Sequence, residues 1–93
     1  HLYYLGLNSG GYDIYRQDNG SFPCGTATID IRGRQVSGFI DLRDTGSRED
    51  REQIATALIR EIDKEREFDT FNLTMMHKNK PVDEVLFEMD MVH

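Results

Sequence analysis

The feature that most constrains this chain is a change of hydrophobic period near residue 47. Ala27, Ile29 and Ile31 alternate with Thr26, Thr28 and Asp30. Across the turn Arg32-Gly33-Arg34, Val36, Gly38, Ile40 and Leu42 alternate with Ser37, Phe39 and Asp41. Successive side chains of a strand point to opposite faces, so this is a hairpin with one dry face and one wet face. Ile54, Ala55, Leu58, Ile59 and Ile62 then recur at helical spacing, placing one apolar stripe along a helix. Ser47 is the expected N-cap, with Asp50 three residues on completing a capping box, and the helix is expected over 48–67. A dry sheet face and a dry helix stripe each need a cover, and each can cover the other.

The flanking segments extend the same plan. Leu2 to Leu7 form a short apolar run that ends at Asn8-Ser9-Gly10-Gly11. Tyr12 to Arg16 alternate before Asp18-Asn19-Gly20, where Asn-Gly suits a tight hairpin turn with two positive φ angles. Phe71, Leu73 and Met75 alternate with Asn72 and Thr74, a fifth strand. Over 81–92 two readings compete. Val85, Phe87, Met89 and Met91 follow strand alternation, whereas Val82, Val85, Leu86 and Met89 follow helical spacing behind Pro81. The expected fold is α+β, a single domain over 1–93. It is an antiparallel β-meander of five or six strands with one main helix packed on one face. Its core should hold Ile14, Ala27, Ile29, Ile31, Val36, Ile40, Leu42, Ile54, Leu58, Ile62, Phe71 and Leu73.

Charge narrows the function classes. The 93 residues carry 17 acids against 11 Lys and Arg, a net charge of −6, which argues against direct nucleic-acid binding, because such binders present clustered cations. No apolar run approaches the ~18 residues that a membrane-spanning helix needs. The lone cysteine, Cys24, has no partner in the chain for a disulfide, and a cytoplasmic location is expected. The negative charge grows along the chain: −1 over residues 1–47, −2 over 48–67 and −3 over 68–93. The helix mixes its charges, whereas Asp69, Asp83, Glu84, Glu88 and Asp90 have only Lys78 and Lys80 nearby in sequence.

The chain offers little to chemistry. Asp44-Thr45-Gly46-Ser47 leads into a helix start, but Glu49, Asp50 and Glu52 would repel a phosphate there. Cys24 would need a base, and nothing in the spacing brings His77 to it. Glu88, Asp90 and His93 lack the paired Cys or His spacing of a strong metal site. No catalytic residue, cofactor or metal is therefore expected, and nothing supports an enzyme. A binding surface has more in its favour, because Phe39 and Tyr15 fall on the wet faces of their strands. The expected partner-binding residues are Phe39, Asp83, Glu84, Glu88 and Asp90. They suit a protein partner with a basic surface, and a homodimer is also plausible through the exposed aromatics and the terminal apolar run.

The hairpin-rich start, the Asp44–Ser47 loop and the helix segment Gln53 to Ile62 resemble small phage and prophage proteins in which a short β-meander precedes a helix with an alanine-isoleucine core. That group includes acidic inhibitors of the anti-CRISPR type, and the similarity covers residues 12–66. The resemblance implies a non-catalytic inhibitor or adaptor that binds a host defence or nucleic-acid-processing complex. An immunity or antitoxin protein that neutralises a basic toxin would use the same acidic surface. A small-ligand binder needs a pocket, for which one helix on one sheet is expected to leave little room.

Overall fold

The computed structural model describes residues 2–89. The elements in chain order are β1 (Tyr3–Asn8), β2 (Gly11–Arg16), β3 (Pro23–Arg32), β4 (Gln35–Leu42), α1 (Arg48–Asp63), β5 (Thr70–His77) and β6 (Lys80–Glu88). The strands form one sheet in the order β1-β2-β3-β4-β5-β6. The α+β class and the principal helix agree with the sequence reading, and the ambiguous segment near the C-terminus is a strand as far as Glu88, residues 90–92 of it lying outside the described residues. One pairing differs. β4 and β5 run parallel, so the sheet is mixed and not a pure antiparallel meander.

The cause is the helix. Sixteen residues of α1 span about 24 Å at 1.5 Å per residue, nearly the length of β4. The chain therefore travels back along the strand before it re-enters the sheet, and β5 starts at the same end as β4. The register is held at that end by the β3–β4 turn. Asp69 N donates to Arg34 O at 2.7 Å, the Arg34 guanidinium meets the Asp69 carboxylate at 2.9 Å, and Arg66 donates to Gly33 O at 2.9 Å. These contacts set Gln35 opposite Thr70. Phe68 is buried just before the strand and packs edge-on against Phe71.

Two local expectations also change. The capping box forms as expected, with Ser47 Oγ accepting from Asp50 N and the Asp50 carboxylate accepting from Ser47 N, but the helix ends at Asp63 and not at Glu67. Asp18-Asn19-Gly20 does not make a two-residue hairpin. A 3-10 turn over Gln17–Asn19 precedes Gly20, whose φ is +65°, and β3 begins only at Pro23. The tight turns with left-handed residues are elsewhere, at Gly33 (φ +62°) and at Lys78-Asn79 (φ +51° and +63°).

The core lies between α1 and one face of the sheet. Ile14, Ala27, Val36, Ile40, Leu42, Ile54, Leu58, Ile62, Phe71 and Leu73 are buried there as expected, joined by Tyr3, Tyr12, Ala55, Phe68 and Met75. Ile29 is only partly buried and Ile31 is 41% exposed. Both lie beyond Thr28, the last β3 residue that pairs with β2, so they have no neighbouring strand on that side. Close packing leaves no room beside Gly38, where a Cβ would stand 2.9 Å from Thr28 O and 2.8 Å from Ile29 Cδ1. The helix meets both edges of the sheet. Asp50 stands beside the Tyr3 hydroxyl of β1, and Arg51 reaches Asp83 of β6 at 3.0 Å. The sheet thus curls round the helix without closing.

Candidate functional site

The helix covers one face of the sheet, and the other face is bare. Strand alternation and register decide what stands on it. In β4 the buried residues are Val36, Gly38, Ile40 and Leu42, so Gln35, Ser37, Phe39 and Asp41 point outward. Phe39 is flanked in the same row by Thr28 of β3 and Thr74 of β5, and Thr74 is paired in turn with Glu84 of β6. Phe39 is 60% exposed. Its neighbours are mostly short and polar, so the ring stands proud of the surface with none of the described residues folded over it.

Acids dominate the rest of this face. Asp13, Asp30, Asp41, Glu84 and Glu88 all fall on it, and the strands contribute one cation there, Arg32, which pairs with Asp30 at 3.0 Å. Asp13 accepts a hydrogen bond from the Asn8 side-chain amide at 3.0 Å. Among the described residues Asp41, Glu84 and Glu88 have no salt bridge. With adjacent strands about 4.8 Å apart, Glu84 lies two strands, or about 10 Å, from Phe39. Leu86, 61% exposed, sits between Glu84 and Glu88 on β6. At the β1–β2 end, Tyr4 and Tyr15 stack with centroids 5.2 Å apart.

Three of the residues singled out from the sequence are therefore on one surface: Phe39, Glu84 and Glu88. Asp83 is on the opposite face, because it neighbours Glu84 in a strand. Asp90 lies outside the described residues. Two acids that looked unpartnered have partners distant in sequence. Asp69 pairs with Arg34, and Asp83 accepts from Arg51 Nε at 3.0 Å. Arg51 also donates to the carbonyls of Thr45 and Gly46 at 3.1 Å each. The Arg51 hydrogen bond, helped by Glu84 N–H, holds the Asp83 carboxyl below its ordinary value. Neither pairing has a sequence signal, since the partners lie 35 and 32 residues apart. Sequence reading also missed Asp13 and Tyr4, which enter this surface only through the β1–β2 register.

Burial pushes the Cys24 thiol up, the opposite of what an activated nucleophile needs. His77 Nδ1 is 2.9 Å from Leu42 O. No group of three or more His, Cys, Asp or Glu among the described residues could hold a metal ion. No helix of the described residues is long and apolar enough to cross a membrane. The helix face does leave more room than expected. An open groove of about 980 Å³ runs between β1 and α1, from Leu2 and Tyr3 past Thr56 and Ala57 to Lys64. No family model matches the chain, and comparison with curated proteins and with solved structures gives no significant match.

Proposed function

We propose that this is a non-enzymatic binding protein whose bare sheet face docks a basic surface of a protein partner, as an inhibitor or adaptor. The observation that carries the reading is Phe39, an exposed aromatic ring in the middle of a face to which the strands contribute five acids and one cation. An aromatic anchor inside a charged surround is the usual composition of an interface centre and its rim. A folded monomer gains nothing from leaving a phenylalanine ring in water, so its stability offers no reason for the ring's position. The acids draw a basic partner in, and the ring holds it once docked. Anti-CRISPR-type inhibitors and toxin-neutralising proteins would both use such a surface.

The test is association kinetics with a captured partner at two salt concentrations. Neutralising Asp41, Glu84 and Glu88 together to Asn, Gln and Gln should slow association several-fold at low salt, with the difference shrinking as salt rises. Phe39→Ala should chiefly speed dissociation, by tenfold or more. The control neutralises Asp63, Glu65 and Glu67, at the end of the helix and just beyond it. Equal effects from that set would show that net charge alone counts and would remove the bare face as the site.

A further inference from the structure

The outer edge of β1 is built to be paired. Leu2 O accepts from Gln17 N at 2.8 Å, and the two-residue turn Ser9-Gly10 closes on Asn8 and Gly11. Backbone groups alternate direction along an antiparallel ladder. Leu2, Tyr4, Gly6 and Asn8 therefore bond to β2, while Tyr3, Leu5 and Leu7 turn their N–H and C=O groups outward. Among the described residues nothing guards that edge. Its sequence, Tyr-Tyr-Leu-Gly-Leu-Asn, has no charge and no proline, its register with β2 is unbroken, and Leu7 is 84% exposed. Natural sheet edges that stay unpaired are usually short, charged, bulged or interrupted by proline.

The helix beside this edge says what fits. It runs parallel to β1, because Asp50 stands by Tyr3 while Glu61 lies near Tyr12, the cross-strand neighbour of Leu7. Its groove-facing residues are Glu49, Glu52 and Gln53 at the start, Thr56 and Ala57 in the middle, and Arg60, Glu61 and Lys64 at the end. Glu52 pairs with Arg48 at 3.3 Å and Glu61 with Lys64 at 3.2 Å. A stripe with its acid excess at one end, small residues at its centre and its cations at the other end fits an antiparallel copy of itself.

We infer that the β1 edge and the facing side of α1 form a two-fold homodimer interface, in which β1 pairs antiparallel with β1 of a second copy to give a continuous twelve-stranded sheet. Centring the axis on Leu5 sets Leu5 opposite Leu5, and Tyr3 opposite Leu7, at three pairs that each exchange two hydrogen bonds. The same axis passes between Thr56 and Ala57. Glu49 then faces Lys64 of the second copy and Gln53 faces Arg60, while the small central residues let the helices approach. Glu52 faces Glu61, and each of these acids keeps the cation it holds in its own chain, Arg48 and Lys64. One axis satisfies the backbone edge, covers Leu7 and brings the acidic start of each helix to the end of the other that holds Arg60 and Lys64. Such an isologous contact closes on itself and goes no further. It leaves the bare face of both copies free, so this interface and the proposed partner site fail or stand separately.

Sedimentation equilibrium over the micromolar range tests the interface, with circular dichroism confirming that each variant is folded. The wild-type chain should show a monomer–dimer equilibrium. Leu7→Pro deletes only an outward N–H, which an edge strand tolerates, and should give a monomer. Lys64→Glu should raise the dimer dissociation constant by about tenfold or more through repulsion with Glu49 of the second copy, and so should Glu49→Lys. The double variant, with the charges exchanged, should recover most of the loss. A wild-type monomer throughout, a dimer untouched by Leu7→Pro, or a double variant no tighter than the singles overturns the inference.

Discussion

The two edges of the sheet are treated in opposite ways by the sequence. β6 opens with Lys80 and Pro81, carries Asp83, Glu84 and Glu88, and breaks register against β5 between Met75 and Met76. Every one of these devices discourages another strand from pairing. It is also tied down, because Arg51 of the helix reaches across to Asp83. β1 has none of them and is bounded on its outer side by a groove. An edge that carries charge, a proline and a bulge is one kept from pairing. An edge with none of these is stable against aggregation only if something specific covers it. The difference teaches that the two ends of this small sheet answer to different demands, solubility at β6 and assembly at β1.

The most drastic way to break the comparison is to remove what both edges hang from. Leu58 is fully buried at the centre of the helix stripe. Leu58→Ala should cost ~2–5 kcal/mol, the transfer loss plus the cavity left behind. That is a large share of the stability of a domain this size. Urea denaturation should show the midpoint falling sharply. An unchanged midpoint would mean that the helix does not pack as described.

How much of this was legible beforehand follows from the range of the interactions. The strands β3 and β4, the capping box and the helix stripe were all readable, because alternation and capping are set by residues within a few positions of one another. The parallel β4–β5 pair was not, although a helix lying between two strands is the usual route to one. The short turns elsewhere made a meander the simpler reading. Ile31 alternates correctly and still ends exposed, since periodicity names a face and says nothing of where the neighbouring strand β2 begins. The acidic reading of the C-terminal quarter failed in part for a similar reason. Asp69 and Asp83 lack cations nearby in sequence and find Arg34 and Arg51 only through the fold. Phe39 was legible as an exposed ring, but its setting among Asp13, Glu84 and Glu88 required the register of four pairings.

A smaller perturbation acts on β6 alone. Arg51 is largely buried and its guanidinium joins Asp83 to the Thr45 and Gly46 carbonyls. Arg51→Ala strands a partly buried carboxylate and two acceptors, and should cost about 1–3 kcal/mol. The pH dependence identifies the cause. Asp83 has its folded-state pKa lowered from the ordinary 3.8, first by the Arg51 hydrogen bond. A lowered carboxylate pKa contributes stability that is present above 3.8 and lost as pH falls through the folded value. Denaturation midpoints measured from neutral pH down through this range should fall for the wild type, and part of that slope should vanish in Arg51→Ala. A variant that keeps the full acid-induced slope would assign it to other groups, of which Asp50, lowered by its hydrogen bonds with Ser47, is the first candidate.

The least change in stability gives the sharpest contrast between the edges. Leu7 on β1 and Leu86 on β6 are both exposed leucines on edge strands, at 84% and 61%. Neither contributes much to the monomer core, so Leu7→Lys and Leu86→Lys should each shift stability by no more than about 0.5 kcal/mol. Their effects on assembly should differ. A lysine at position 7 gives β1 the kind of guard that β6 already has, and it places an unpaired charge against Tyr3 of a second copy. Leu7→Lys should therefore be a monomer at concentrations where the wild type dimerises. Leu86→Lys should keep the wild-type mass, because β6 is not the assembling edge. Loss of the dimer in Leu86→Lys and its survival in Leu7→Lys would reverse the assignment, making the guarded edge the one that assembles.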